Sequence, residues 1–208
     1  AFSFLDRKTN NITIVRDKFG EKPIYYGIHE NNFVFSSELK SIHCMLDGKL
    51  KLNKYSTSLF LKYGYIPSPY SIYKNIHKLE PGSFLQLNIK SLEFILEKWW
   101  NLDFNNLQKD TSNLSYEELI EKELSNSVNR QLNADVDVGC FLSGGIDSSL
   151  ITVLASKTKK NKLKTFKNEF KENLYNEAPY AKKIAEFLKT DHYEHYVSES
   201  EAQKIIPE

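Results

Sequence analysis

Seven consecutive residues, Ser143-Gly144-Gly145-Ile146-Asp147-Ser148-Ser149, combine two glycines, three hydroxyls and one acid between two apolar segments. Binding a polyphosphate requires backbone N–H groups that reach its oxygens, and a Cβ at Gly144 or Gly145 would block that approach or forbid a positive φ. The stretch runs from an apolar strand pattern directly into a helical one. The first N–H groups of such a helix lack internal partners, and its dipole favours an anion by ~0.3–1 kcal/mol per charge at exposed sites. Ser143, Ser148 and Ser149 add short hydroxyl donors. Asp147 would repel phosphate oxygens unless a Mg²⁺ lay between them, so the chemistry implied is that of a metal-bearing nucleotide. The loop is not the commoner G-x-x-x-x-G-K-[ST] type, because no lysine occurs between Val138 and Ser156, and it lacks the G-x-G-x-x-G spacing of a dinucleotide fold. The plainer alternative is a strand-to-helix turn in which Asp147 or Ser148 serves as N-cap.

The elements that must position this loop follow from the patterning. Residues 1–100 read as short strands broken by turns: "AFSFLD", "NITIVRD", "PIYYGIHE" and "NFVFSS" suggest an antiparallel meander, with Asn10-Asn11 and Asn31-Asn32 between strands. "ELKSIHCML" and "KYSTSLFLKYG" read as helices, the second ending at Gly64, and "SFLQLNI" with "LEFILEKWW" reads as a hairpin around Lys90-Ser91. Residues 101–113 are polar and aperiodic, as in a linker. From Ser115 the rhythm changes. Ser115 and Glu118 make a capping box, with Leu114 and Leu119 as a hydrophobic staple, and Ile120, Leu124 and Val128 mark one face of the helix. Then follow a strand at about 138–142, a helix from about Ser148, a strand in "KLKTFKNEF", a helix in "NEAPYAKKIAEFLK" and a strand in "HYEHYV". Such alternation implies a parallel α/β sheet.

Composition narrows the partners. The 208 residues are 40% hydrophobic and 13% aromatic, ample for a core, and 28 basic against 27 acidic residues leave a net charge of +1. That balance offers no electrostatic footprint for nucleic acid or an anionic membrane, and points to small molecules. No segment reaches the ~18 consecutive apolar residues of a membrane helix. Cys44 and Cys140 sit in apolar contexts and read as reduced, buried thiols of a cytoplasmic protein. Because the chain starts at Ala1 inside a strand pattern, it reads as an internal segment of a longer protein.

"FLSGGIDSS" resembles the pyrophosphate loop of N-type ATP pyrophosphatases, and "RQLNADVDVGCFLSGGIDSSLITVLAS" is similar to glutamine-hydrolysing asparagine synthetases. "VRDKFGEKPIYYG", "FVFSSELKSI", "YGYIPSPYSIYKNIHKLEPGSFLQL" and "EKWW" resemble, in the same order, the later part of that family's glutaminase domain. The resemblance implies α+β and α/β parts. Residues 1–100 would be the C-terminal part of an αββα N-terminal-nucleophile glutaminase sandwich, residues 101–113 a linker, and residues 114–208 the start of a parallel sheet of the ATP-pyrophosphatase (adenine nucleotide alpha hydrolase-like) type.

It further implies that ATP activates the aspartate side chain as β-aspartyl-AMP with loss of pyrophosphate, and that ammonia from glutamine then displaces AMP. Ser143, Gly144, Gly145, Ser148 and Ser149 would cradle the pyrophosphate, Asp147 would position Mg²⁺ on it, the backbone of Leu142 would lie near the adenosine, and a further nucleotide contact would fall at Asn168. At Asn168 and Glu169 the family usually has an apolar residue and then glycine, so this chain departs there. The family's nucleophilic cysteine is N-terminal and uses its own α-amino group as base. Ala1 stands first here and neither Cys44 nor Cys140 has a free amine, so the glutaminase nucleophile and glutamine-binding residues would precede Ala1, while the second ATP loop and the aspartate pocket would follow Glu208. The 208 residues alone are therefore expected neither to make asparagine nor to release ammonia from glutamine. A homodimer is compatible with the resemblance. Two alternatives stay open: a relative that amidates a sugar acid or closes a β-lactam ring, and a non-catalytic nucleotide-binding module.

Other residues have structural readings. Arg16 and Asp17 read either as a border of the glutamine pocket or domain interface or as a buried ion pair bracing a turn at Gly20 and Pro23; Trp99 and Trp100 as packing; Glu177 and Tyr180 as cap and core of their helix; and Lys157 to Lys164 as a solvated loop. His192 and His195 lie three apart on a strand and cannot chelate together.

Overall fold

The computed structural model describes residues 1–105, 114–159, 161–170 and 177–205. The chain divides into two compact units, Ala1–Lys109 and Asp110–Glu208. Mixed α and β structure occurs in both, and among the described residues no helix is long and apolar enough to cross a membrane.

In the first unit, strands β1 (Phe2–Asp6), β2 (Asn11–Val15), β6 (Ser83–Asn88) and β7 (Phe94–Lys98) form one antiparallel sheet in the order β1-β2-β6-β7. Strands β3 (Tyr25–His29), β4 (Asn32–Ser36) and β5 (Ile76–Lys78) form a second, in the order β4-β3-β5. The period-2 alternation gives the first sheet one apolar face and leaves the second apolar on both. Register puts Ile12 opposite Leu87 and Ile14 opposite Leu85 on the first sheet, and these four share a core with Tyr26, Phe33 and Phe35 of the second. On the other face of the second sheet, Val34 and Ile76 pack with Ile42 of helix α1 (Leu39–Met45). Ile14, Leu85 and Ile42 are fully buried, each worth ~1.5–3 kcal/mol relative to exposure. Helix α2 (Lys54–Tyr63) is capped by the Asn53 side chain at its start and stopped by Gly64 at φ +76.

The single meander expected for the first four strands does not form. The hairpins β1-β2 and β3-β4 exist, but β2 gives its second edge to β6 rather than to β3. Residues 16–24 make a tight turn that carries the chain from one sheet to the other. Arg16 and Asp17 brace it separately, not as an ion pair. The guanidinium of buried Arg16 donates to the carbonyls of Gly20, Lys22 and Leu79, while the Asp17 carboxylate accepts the N–H groups of Glu21 and Lys22. Trp99 and Trp100 pack here as expected: Trp99 Nε1 donates to the Arg16 carbonyl, and Trp100 meets the Phe19 ring edge-on at 5.1 Å.

Slight burial pushes the Asp17 carboxyl pKa up, but the N–H donors of Lys22, Glu21 and Gly20 outweigh it and hold the value below 3.8. A carboxylate whose folded pKa is depressed stabilises the fold above the unfolded pKa and loses that contribution as pH falls through the folded one. Asp17→Ala should therefore cost on the order of 1 kcal/mol at pH 7, as for lost cap hydrogen bonds. In urea unfolding, the gap between variant and parent should close as pH drops below about 3.8; a gap independent of pH would contradict this.

The second unit holds helix α3 (Tyr116–Gln131), strand β8 (Gly139–Phe141), helix α4 (Ile146–Thr158), strand β9 (Lys164–Phe170), helix α5 (Ala178–Leu188), strand β10 (Asp191–Val197) and helix α6 (Glu199–Ile205). Its three strands are parallel in the order β10-β9-β8. The capping box is present at Ser115 and Glu118. The expected α3 stripe is displaced: Leu124, Val128 and Leu132 join Leu154, Ala155, Leu163 and Cys140, whereas Ile120 is 59% exposed. Four-residue spacing drifts about 40° per step at 3.6 residues per turn, so the stripe leaves the packed face at one end. Among the described lysines around the α4–β9 connection, Lys159 Nζ donates to the Val138 carbonyl at 2.7 Å, while the pairs Lys157–Glu121, Lys162–Asp191 and Lys164–Asp137 stay solvent-exposed. His192 and His195 lie on β10 three positions apart, hence on opposite faces.

Candidate functional site

Ser143 to Ser149 follow β8 at the carboxyl edge of the parallel sheet, the edge where ligands bind in open α/β folds. Leu142 prolongs the ladder by donating its N–H to the Phe166 carbonyl at 2.9 Å, and its side chain is fully buried beneath Ala181, Ile184 and Ala185 of α5. Only its backbone is placed to meet a ligand.

The two glycines differ. Gly144 has φ +91, and a Cβ there would lie 2.8 Å from the Ala181 nitrogen and 2.9 Å from Tyr180 Cβ, so both its conformation and the approach of α5 demand glycine. Gly145 has φ −74 and caps α4, and a Cβ there would meet only Ser143 Oγ, at 3.4 Å. Its lack of a side chain is not needed by the fold. Helix α4 starts at Ile146 with no side-chain cap, so Asp147 and Ser148 lie inside the first turn rather than serving as N-cap.

The hydroxyls form a small network. Ser143 Oγ and Ser148 Oγ lie 2.8 Å apart, Ser148 Oγ receives the Ser143 N–H at 3.2 Å, and Ser143 Oγ receives the Gly145 N–H at 3.3 Å. The Ser149 hydroxyl donates to the Gly145 carbonyl. Asp147 is exposed and, with Ser148, borders a cleft of about 370 Å³ whose other walls include Val128, Leu132, Cys140 and Ile151. Burial pushes the Cys140 thiol pKa up, with Lys159 partly opposing, so this cysteine is protonated and a poor nucleophile at neutral pH. Cys44 is exposed rather than buried, and both thiols are free.

A magnesium ion fits this arrangement in one way. Among the described residues no group of three or more His, Cys, Asp or Glu side chains could hold a metal. Mg²⁺ is commonly held by one or two carboxylates together with substrate phosphates, and Asp147 on the loop provides one carboxylate for that mode.

Asn168 is exposed on β9, opposite His195 in the register. Its neighbours Lys167 and Glu169 point to the other face, toward the loop and α5. There Lys167 Nζ lies 3.0 Å from Glu169 Oε2, 3.5 Å from the Ser143 carbonyl oxygen and 3.7 Å from Glu177 Oε2. The Lys167 and Glu169 side chains are 10% and 8% exposed. Glu177 stands at the N-cap of α5 without capping it through its side chain, and Tyr180 is 63% exposed rather than core. The loop has no lysine of its own, but β9 brings one to its back. The period-2 spacing of Thr165, Lys167 and Glu169 at the carboxyl end of a parallel strand is the sequence signal that locates this lysine.

Comparison with known proteins fits both units. Residues 1–100 match the glutamine amidotransferase domain family and residues 119–208 the asparagine synthase family. The chain thus carries, in order, segments that match these two domain families, and its similarity to proteins named asparagine synthetase extends over nearly its whole length. A Methanocaldococcus jannaschii protein that carries, provisionally, the name asparagine synthetase (glutamine-hydrolyzing) 2 is 38% identical over 99% of this chain and 40% of its own length. Two Bacillus subtilis proteins named asparagine synthetase (glutamine-hydrolyzing) are similar: number 1 is 29% identical over 99% of this chain and 32% of its own length, and number 2 is 33% identical over 80% and 23%. The chain spans two fifths or less of each of these relatives.

Proposed function

We propose that the protein to which this chain belongs makes asparagine from aspartate, ATP and glutamine. In this reading residues 1–100 are the later part of an αββα glutaminase sandwich, 101–113 a linker that extends partly beyond the described residues, and 114–208 the start of an ATP-pyrophosphatase domain. The observation that carries it is Gly144: a left-handed glycine wedged under α5, directly ahead of the first turn of α4, at the carboxyl edge of a parallel sheet.

The chemistry follows from charge. A carboxylate does not react with ammonia until one of its oxygens becomes a good leaving group, and joining it to AMP makes it one. The aspartate carboxylate attacks the α-phosphorus of ATP, and the electron pair of the broken bond departs with pyrophosphate. N–H groups of the first turn of α4 and the hydroxyls of Ser143, Ser148 and Ser149 stabilise that departing charge. Gly144 and Gly145 keep the approach open, Asp147 would hold Mg²⁺ against the phosphates, the backbone of Leu142 borders the adenosine, and Asn168 is a further nucleotide contact. Mg²⁺, when bound, neutralises the developing charge. Two free thiols support a cytoplasmic location, and a homodimer is the assembly we would look for.

ATP–pyrophosphate exchange by the full-length protein tests this. Exchange that depends on aspartate supports the proposal. Exchange with a different acid and none with aspartate replaces it with a relative acting on another acceptor, and no exchange with any acid leaves only a nucleotide-binding module.

A further inference from the structure

We propose that Lys167 is a positioning residue for the pyrophosphate, the cation that the loop's own sequence lacks, and that Glu177 competes with the anion for it. This rests on the loop's role given above. An ammonium has three N–H donors arranged around one nitrogen. Two of those at Lys167 are committed to the buried Glu169 carboxylate at 3.0 Å and the half-buried Ser143 carbonyl at 3.5 Å. The third faces Glu177 at 3.7 Å, a long contact to a side chain that is 59% exposed.

The three contacts differ in how readily they exchange. Glu169 is 8% exposed and makes the shortest of the three contacts, so separating it from Lys167 would cost more than releasing Glu177. Glu177, more than half exposed and at the longest of the three distances, can turn into solvent at less cost than either other contact can be broken. A phosphate oxygen arriving over Ser143 thus replaces Glu177 on the third N–H while the other two contacts stay. Glu169 anchors the nitrogen and the Ser143 carbonyl ties it to the loop, so the charge lies where phosphate negative charge would accumulate. Lys167 and Glu169 lie two apart on one strand face, so the carboxylate holds the ammonium from the strand side.

The test uses the full-length protein, inorganic pyrophosphate with Mg²⁺, and calorimetric binding. Lys167→Met is expected to weaken binding about tenfold, as for loss of a charge-assisted hydrogen bond, and Lys167→Arg to restore most of it. Glu177→Gln is expected to tighten binding about threefold when Lys167 is present and to do so less when residue 167 is methionine. A purely structural Lys167 would show no such coupling. If Lys167→Met does not fold, Lys167→Met combined with Glu169→Leu removes both charges together and carries the same comparison. Wild-type binding with unchanged affinity in the lysine variants, or an equal Glu177→Gln effect in both backgrounds, overturns the inference alone. No pyrophosphate binding by the wild type removes the loop's role and this inference with it.

Discussion

Asp147→Asn is expected to reduce ATP–pyrophosphate exchange by the full-length protein about 10²- to 10³-fold, equivalent to ~3–4 kcal/mol of transition-state stabilisation. The carboxylate is exposed on the first turn of α4 and is not used to cap it. Its structural worth is therefore limited to the helix-dipole contribution, ~0.3–1 kcal/mol. Folding and activity should separate: thermal unfolding of the variant should stay within that margin while exchange collapses. An asparagine keeps the side chain's shape and one acceptor oxygen but loses the charge that binds Mg²⁺, so the variant should also need more Mg²⁺ for whatever exchange remains. Exchange close to that of the parent would remove Asp147 from metal binding and leave it as an ordinary first-turn acid.

The adjacent glycines should respond in opposite ways to the same substitution. Gly144→Ala places a Cβ at φ +91, 2.8 Å from a backbone nitrogen of α5, where neither partner can move without shifting a helix. Strain of about 1–3 kcal/mol for the conformation and a similar amount for overpacking should destabilise the second unit by roughly 3 kcal/mol or more. Gly145→Ala meets only the Ser143 hydroxyl at 3.4 Å, with φ −74, and should fold almost normally. If Gly145 is there to let phosphate oxygens reach the backbone, its alanine variant should lose no more stability than a weaker N-cap costs, about 1 kcal/mol, and lose pyrophosphate affinity about tenfold or more. A Gly145→Ala protein that both folds and binds normally would show that only Gly144 is required, and for packing.

The contrast shows where reading residues alone stops. The pair Gly144-Gly145 is legible as a phosphate-approach motif, yet that the first glycine serves the contact with α5 and the second does not is a matter of which helix lies overhead. Lys167 carries the same lesson. Scanning the loop finds no lysine, because the cation comes from a strand more than twenty residues further along and reaches Ser143 only once β8 and β9 are parallel neighbours. Tyr180, which reads as core at the start of its helix, is exposed because Ala178, Ala181 and Ala185 form the inward face and let α5 sit close over Leu142.

What the amino acids settle by themselves is local: the Ser115 capping box, the stop at Gly64, the alternation that makes each strand, the change of rhythm between the two halves and the loop motif with its family. These depend on interactions within a few residues, or on a pattern short enough to read directly. Partnership is decided only in three dimensions. Residues 11–15 look equally able to pair with the next strand or with one seventy residues on, and β6 wins because Leu85 and Leu87 complete an apolar face that the second sheet then covers. Arg16 and Asp17 look like a pair until the turn brings carbonyls to one and amides to the other, since a charged side chain takes whichever partners the closed chain places within reach.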